Sequence, residues 1–273
     1  MLGRRITAAT LLRRDILVLP KDPAGGFSRS RIRKHPARVR PEHLLVAGTV
    51  VELRRRGKQL AIIVDDGRAL VVHLGMTGQL RYQISGESAP ETNHVHAMWT
   101  FADGSSLLFR DPRRFGGLWF VPESTKLNQT RWADLGRDAL TITGPALHEA
   151  ASESKRAIKA VLLDQRILAG VGNIYADEAL FLARIAPRRR ATRLSSEQFE
   201  LLAAAIRQTL ANAVALRGST LRDYRDGTGQ PGEAQLKHQV YGRTGQRCNR
   251  CGKALKTLLL AQRTTVWCPE CQT

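Results

Sequence analysis

The sequence predicts an α+β chain in three parts: an N-terminal β-sandwich over residues 1–125, a helical domain over 126–235 and a zinc-ribbon hairpin over 236–273. Three observations carry this reading. Short apolar runs recur about every ten residues in the first third. After Pro122 the apolar period lengthens to that of a helix. All four cysteines stand near the C-terminal end as two C-x2-C pairs.

The β-rich third offers candidate strands at 47–53, 59–64, 70–74, 96–101, 106–109 and 117–121. Turn signals such as Asp65-Asp66-Gly67 and Ala102-Asp103-Gly104 separate them, and several strands at this spacing suggest a sandwich or barrel. Residues 21–42 differ: they are rich in Pro, Gly, Ser, Arg and Lys without periodicity, and read as an exposed basic loop.

In the middle segment the periodicity predicts a helix over 150–163 with Ile158, Val161 and Leu162 on one face, and a second over 173–183. A third opens at Ser195, where Gln198 completes a capping box ahead of a stripe made by Leu201, Leu202, Ala205, Ile206, Leu210 and Val214. Before the second helix stands Gly170-Val171-Gly172-Asn173. Two glycines there allow backbone N–H groups to approach an anion where a helix presents its positive end, although a plain helix–helix turn also uses glycines.

Cys248, Cys251, Cys268 and Cys271 form C-x2-C-x16-C-x2-C, the spacing of a zinc ribbon. Two tight turns at the ends of a hairpin offer four thiolates to one structural Zn2+ and leave no coordination position for water, so a catalytic zinc is not expected. Two disulfides are the competing assignment. A C-x2-C pair is poor disulfide geometry, and no secretory segment is seen. The 43 Lys plus Arg against 24 Asp plus Glu leave a charge of +19, mostly arginine, which points to a nucleic-acid partner. No apolar run is long enough to span a membrane, and a cytosolic protein is expected.

The strings Arg56-Gly57-Lys58, His73-Leu74-Gly75-Met76-Thr77-Gly78, Asp111-Pro112-Arg113-Arg114-Phe115-Gly116, Gly170-Val171-Gly172-Asn173-Ile174-Tyr175, Val240-Tyr241-Gly242-Arg243 and Ala261-Gln262-Arg263 occur in the order seen in one family. On these motifs the chain resembles the formamidopyrimidine-DNA glycosylase/endonuclease VIII family, and the resemblance runs from about residue 2 to 271. The resemblance implies that the helical part is a helix-two-turn-helix domain. Ser219-Thr220-Leu221-Arg222-Asp223-Tyr224 followed by Gly229-Gln230-Pro231-Gly232 is similar to the lesion-capping region of the formamidopyrimidine branch, which implies oxidised purines as substrates.

What the resemblance implies can be placed residue by residue. Met76, Arg113 and Phe115 match the residues that fill the hole left by a flipped base, and a thioether, a guanidinium plane and an aromatic ring can each wedge between bases. Lys58 matches a catalytic, phosphate-binding lysine with a proton-transfer role in the lyase step. His94, Lys155 and Asn173 match DNA-contacting positions, and Arg263, between the cysteine pairs, matches a catalytic arginine on the phosphates flanking the lesion.

One departure is at the start. Family members begin Met-Pro-Glu-Leu-Pro-Glu-Val-Glu, where the proline amine attacks the sugar C1′ and the next glutamate serves as acid and base. This sequence begins Met1-Leu2-Gly3-Arg4-Arg5-Ile6, residues that match a later segment of the relatives, so a start site placed too late or a true truncation is expected. The implied function is that of a bifunctional base-excision repair enzyme. It would remove 8-oxoguanine and formamidopyrimidines from duplex DNA by base flipping and Schiff-base chemistry and cut abasic sites, as a cytoplasmic bacterial monomer at the nucleoid. A non-catalytic protein that binds lesions or abasic sites is the alternative. An RNA-binding zinc-ribbon protein leaves Met76, Arg113 and Phe115 without a purpose.

Overall fold

The computed structural model describes residues 1–20, 38–86, 93–222 and 224–273. Most of the basic stretch expected as a loop, over 21–37, and Asp223 of the capping motif lie outside these residues. The chain divides into two compact units, Met1–Ala133 with Thr220–Gly232, and Asp134–Ser219 with Glu233–Thr273.

The first unit is a sandwich. Strands β1 (Ile6–Leu11), β7 (Val95–Phe101), β8 (Ser106–Arg110) and β6 (Gln79–Gln83) form one sheet in the order β1-β7-β8-β6. Strands β2 (Leu17–Val18), β9 (Gly117–Val121), β5 (Ala69–His73), β4 (Gln59–Val64) and β3 (Val50–Arg56) form the other in the order β2-β9-β5-β4-β3. All pairs are antiparallel except β2 with β9. One core joins the two sheets: Ile62, Leu70, Val72 and Leu118 from one, Ile6, Ala97, Trp99, Phe101 and Phe109 from the other. Strand β7 shows the period of two that puts Trp99 and Phe101 inside, and the buried Trp99 indole donates to the Leu44 carbonyl at 2.9 Å.

The sequence pattern predicts neither β1 nor β6. Both are edge strands of their sheet. An edge strand with one face in water carries few large apolar residues, and Ile6-Thr7-Ala8-Ala9-Thr10-Leu11 and Gln79-Leu80-Arg81-Tyr82-Gln83 show that weak signal.

In the second unit a short parallel pair, β10 (Arg137–Asp138) with β11 (Leu168–Ala169), accompanies helices α1 (Gly144–Ala151), α2 (Ile158–Leu163), α3 (Asn173–Leu182) and α4 (Ser196–Ala215), and a hairpin of β12 (Lys256–Leu260) and β13 (Arg263–Trp267). The single helix expected over 150–163 is two helices. Thr143 caps α1, with Pro145 in the first turn. The chain leaves helical geometry after Ala151 and resumes it after Ala157, the N-cap of α2, which bridges Arg190 while the Ile158 N–H donates to Arg189. Tertiary pairing overrides the local helix propensity of that stretch.

The capping box at Ser195 and Gln198 forms with both of its bonds, 3.3 and 3.1 Å. The apolar stripe of α4 is narrower than expected. Phe199, Leu202, Ile206 and Leu210 are buried, whereas Leu201 and Val214 are 59% and 68% exposed, one flank outside the face turned toward α1 and α3. No helix among the described residues is long and apolar enough to cross a membrane.

Candidate nucleic-acid interface

At one end of the sandwich two loops meet. The loop after β5 carries Met76, and the loop after β8 carries Arg113 and Phe115. Gly75 stands at φ +65°, and a Cβ there would lie 2.6 Å from the carbonyl carbon of Phe115. A Cβ on Gly116 would lie 2.6 Å from the His73 carbonyl oxygen. Glycine at these two positions lets the loops touch backbone to backbone. The fully buried Asp111 ties them further: it accepts the Thr77 hydroxyl at 2.5 Å and the Gly116 N–H at 2.7 Å, while the Arg113 N–H reaches Thr77 Oγ1 at 3.3 Å.

The side chains so presented suit insertion between bases. Met76 is 56% exposed, which is unusual for a large apolar residue. The Arg113 guanidinium lies 4.8 Å over the Phe115 ring, a cation–π pair between an exposed and a half-buried side chain. His94 is exposed at φ 63°, and its carbonyl accepts the Asp111 N–H at 3.0 Å, so it joins the same end.

Lys58 lies in the tight turn between β3 and β4, next to Gln59, which pairs across the sheet with His73. His73 Nδ1 accepts the Gly75 N–H at 3.2 Å, which leaves the ring proton on Nε2. Burial first, then Arg131 and Lys58, hold this imidazole below its ordinary range, with Asp111 opposing. A neutral N–H donor beside two cations is a receptor for an anion. His73 stands in a motif quoted above without a role. Its place on β5 opposite the lysine turn is what reveals it.

In the second unit Gly172 caps α3 with extended backbone and no side chain, which leaves the first-turn N–H groups directed outward. Asn173 is the first residue of α3 and its Nδ2 donates to the Thr264 carbonyl at 3.1 Å. Thr264 follows Arg263, the first residue of β13. The turn between β12 and β13 is Ala261-Gln262, and both residues stand at positive φ, 47° and 58°. A two-residue turn of that type normally takes Asn and Gly, so Arg263 follows a strained turn. Lys155 is exposed on the segment between α1 and α2.

A buried ion pair underlies the hairpin. Lys159 Nζ lies 2.7 Å from Asp177 Oδ1 with neither side chain exposed, and it donates to Thr265 Oγ1 at 2.8 Å and the Thr264 carbonyl at 3.2 Å. Asp177 Oδ2 accepts the Val266 N–H at 3.0 Å. Burial pushes Asp177 up to about 6 against the pull of Lys159, and the same burial lowers the Lys159 ammonium. Sequence reading passes over Lys159. Its signal was a lone cation in the apolar run Ile158-Lys159-Ala160-Val161-Leu162.

The four cysteine sulfurs lie within 4.8 Å of one another, with Cys251 to Cys268 at 3.5 Å and Cys248 to Cys271 at 4.0 Å. These separations are far too long for disulfides and close to the roughly 3.8 Å that bonds of about 2.3 Å impose on a tetrahedral ZnS4 centre. Burial, and then the neighbouring thiols, push Cys271 up to about 12, whereas at Cys248 burial is outweighed by the backbone N–H groups of Arg250 and Cys251, which bring the thiol down to about 7. The donor set fits one structural Zn2+. It shares a core of Phe181, Val240, Leu255 and Val266.

Three family models match the chain in sequence order. They are the formamidopyrimidine-DNA glycosylase N-terminal domain over residues 1–118, the formamidopyrimidine-DNA glycosylase H2TH domain over 135–225, and the zinc finger found in FPG and IleRS over 245–273. The formamidopyrimidine-DNA glycosylase of Thermus thermophilus is 42% identical over 252 residues, 91% of each chain. That of Syntrophomonas wolfei is 42% identical over 230 residues, 84% of each. The crystal structure of the MutM (Fpg) protein from Thermus thermophilus superposes with a TM-score of 0.79 at 38% identity, covering 100% of this chain and 92% of that one. The Lactococcus lactis Fpg in complex with DNA containing an abasic site superposes with a TM-score of 0.82 at 29% identity, covering 100% and 94%. With matched models across most of its length and a relative this similar over nine-tenths of both sequences, the chain belongs to the formamidopyrimidine-DNA glycosylase family.

Proposed function

We propose that the chain removes oxidised purines, 8-oxoguanine and formamidopyrimidines, from duplex DNA in base-excision repair and cleaves the abasic site that results. The observation that carries the reading is the pair of loops joined through Asp111, Gly75 and Gly116, which presents Met76, Arg113 and Phe115 beside the cationic surroundings of His73. Wedge and anion receptor together match the needs of an enzyme that opens the stack and holds the strained backbone.

In this reading residues 1–125 supply the wedge. Residues 126–235 and 236–273 supply the phosphate clamp through Lys155, Asn173 at the start of α3 and Arg263 on the zinc hairpin. The excursion over 220–232 caps the extruded base. The reaction forms a bond between an amine and C1′ as the C1′–base bond breaks, and the base leaves with the electron pair and a proton. The amine then gives up its proton as the C1′–O4′ bond opens, which leaves an iminium. A C2′ proton and the 3′-phosphate, and afterwards the 5′-phosphate, depart by elimination, for which Lys58 positions the phosphate and moves a proton. Water hydrolyses the iminium to free the amine. Arg263 balances charge on the flanking phosphates. The protein acts as a monomer on duplex DNA at the bacterial nucleoid.

The family's amine is an N-terminal proline with a glutamate beside it, whereas this sequence begins Met1-Leu2-Gly3-Arg4. The test therefore compares the chain 1–273 with the same chain carrying a Met-Pro-Glu-Leu-Pro-Glu-Val leader, using borohydride trapping on an 8-oxoguanine duplex. The expected outcome is tight, salt-sensitive binding by both and a trapped adduct chiefly with the leader. Absence of any preference for damaged over undamaged duplex in both forms would overturn the reading.

A further inference from the structure

Within the second unit the chain passes from α2 to α3 through residues 164–172. The Ile167 and Leu168 N–H groups donate to the Asp164 carbonyl at 2.9 and 3.0 Å, which makes a tight turn, and Leu168 and Ala169 then pair with β10. Beyond β11 this regular pairing stops. Gly170 stands at φ +121°, Val171 is fully buried in the helical core, and Gly172 caps α3 without a side chain. Two glycines around one anchored residue leave a pivot on each side of it, because glycine loses more backbone freedom on ordering than any other residue.

One side chain spans the pivots. Gln165 Nε2 donates to the Leu163 carbonyl at 3.1 Å and to the Val171 carbonyl at 2.9 Å, while its Oε1 accepts the Gly170 N–H at 3.0 Å. Both amide hydrogens and one oxygen lone pair are thus used. Leu163 is the last residue of α2, so the amide joins the end of one helix to the two residues before the cap of the next. The last carbonyls of a helix have no intrahelical partner, and Gln165 gives one of them a donor while it fixes the glycine segment. The base of this bracket is held as well. The Gln165 carbonyl accepts the Gly136 N–H at 2.9 Å, and Gly136 approaches so closely that a Cβ there would lie 2.3 Å from the Ile167 carbonyl oxygen.

The bracket leads directly into the clamp. Asn173 opens α3, its Nδ2 donates to the Thr264 carbonyl, and Thr264 follows Arg263 on the zinc hairpin. We propose that Gln165 is a positioning residue for DNA binding: by bracing Gly170 and Val171 against the end of α2 it fixes where α3 begins, and with it the place of Asn173 on the phosphate backbone. The proposal rests on the functional reading above, in which Asn173 is a phosphate contact. A phosphate contact carries no sequence or lesion information, so the bracket acts alike on damaged and undamaged duplexes.

The test uses the full zinc-loaded chain and two duplexes, one with a tetrahydrofuran abasic analogue and one undamaged. Gln165→Met keeps the length of the side chain and removes all three hydrogen bonds. Affinity for both duplexes falls about tenfold, and the slope of log affinity against log salt drops by about one, as for a lost phosphate contact. Exchange of the Gly170 amide hydrogen speeds up. Asn173→Ala loses a similar amount, and the double variant stays within about twofold of either single one, because both act through the start of α3. Gln165→Glu keeps the acceptor for Gly170 and loses both donors, so it falls between the wild type and Gln165→Met, and it is read in the same way if Gln165→Met does not fold. Unchanged affinity in a folded variant, a loss of affinity at unchanged salt slope, or a loss that adds fully to that of Asn173→Ala overturns the positioning role. A wild-type chain that binds neither duplex refutes the functional reading, and the positioning role falls with it.

Discussion

The Thr77 hydroxyl donates to the buried Asp111 side chain at 2.5 Å and accepts the Arg113 N–H at 3.3 Å, so this one side chain joins the loop that carries Met76 to the loop that carries Arg113 and Phe115. Thr77→Ala keeps the size of the backbone turn and removes the donor. Asp111 then keeps the Gly116 N–H but loses its hydroxyl partner inside the protein. Denaturant unfolding of the variant is expected to show a loss of about 2 kcal/mol, the range for a hydrogen bond to a charged or buried group. A midpoint equal to that of the wild type would show that the two loops do not depend on each other.

Wedge and clamp separate by mutation. Phe115→Ala lowers affinity for a lesion or abasic duplex while leaving undamaged duplex nearly as before, because a wedge matters only where the stack opens. Lys155→Ala weakens binding to every duplex and reduces the slope of log affinity against log salt by about one. Equal, uniform losses in the two variants, measured by titration at several salt concentrations, would make Phe115 a packing residue.

The zinc ribbon is expected to be essential for the clamp. Chelation of zinc, or Cys268→Ser, removes the cation that holds four sulfurs within 4.8 Å and unfolds the hairpin that carries Arg263. DNA binding falls to background in a filter or anisotropy assay. Full affinity in a chain shown by metal analysis to be zinc-free would contradict this.

Acid stability has a local signature at Asp164. Its carboxylate accepts from Arg166 and Arg156, and the Arg166 hydrogen bond above all holds it down to about 2. The folded value lies below the ordinary 3.8, so the stabilisation is complete above that value and is lost as the pH falls toward 2. With both arginines largely in water, about 1 kcal/mol is expected. Asp164→Asn should lower the melting temperature at neutral pH and converge with the wild type near the acid end. Parallel curves at all pH values would refute the assignment.

Much of this was legible because the informative residues are chemically extreme. Cysteine spacing announces the ribbon, strand runs such as 59–64 announce the five-stranded sheet, and Ser195 with Gln198 announces α4. The edge strands β1 and β6 were hidden because water on one side erases their apolar signal. The break between α1 and α2 was hidden because it depends on Arg190, more than thirty positions downstream of Ala157. Single residues of the wedge could be named from motifs. Asp111 as the knot between their loops could not, since a hydrogen bond across 34 positions leaves no local pattern.

The buried pair of Lys159 and Asp177 constrains how this protein can change over generations. Loss of either partner leaves a lone charge in the interior at a cost of about 3–5 kcal/mol, a large share of the stability of a domain. Exchange of both for apolar side chains of similar volume is often neutral. The two positions are therefore separated from any apolar alternative by a valley that single substitutions must cross, and they are expected to vary together or not at all. A lineage that holds the ionic form keeps it through the lack of a passable intermediate, whatever the pair contributes to stability.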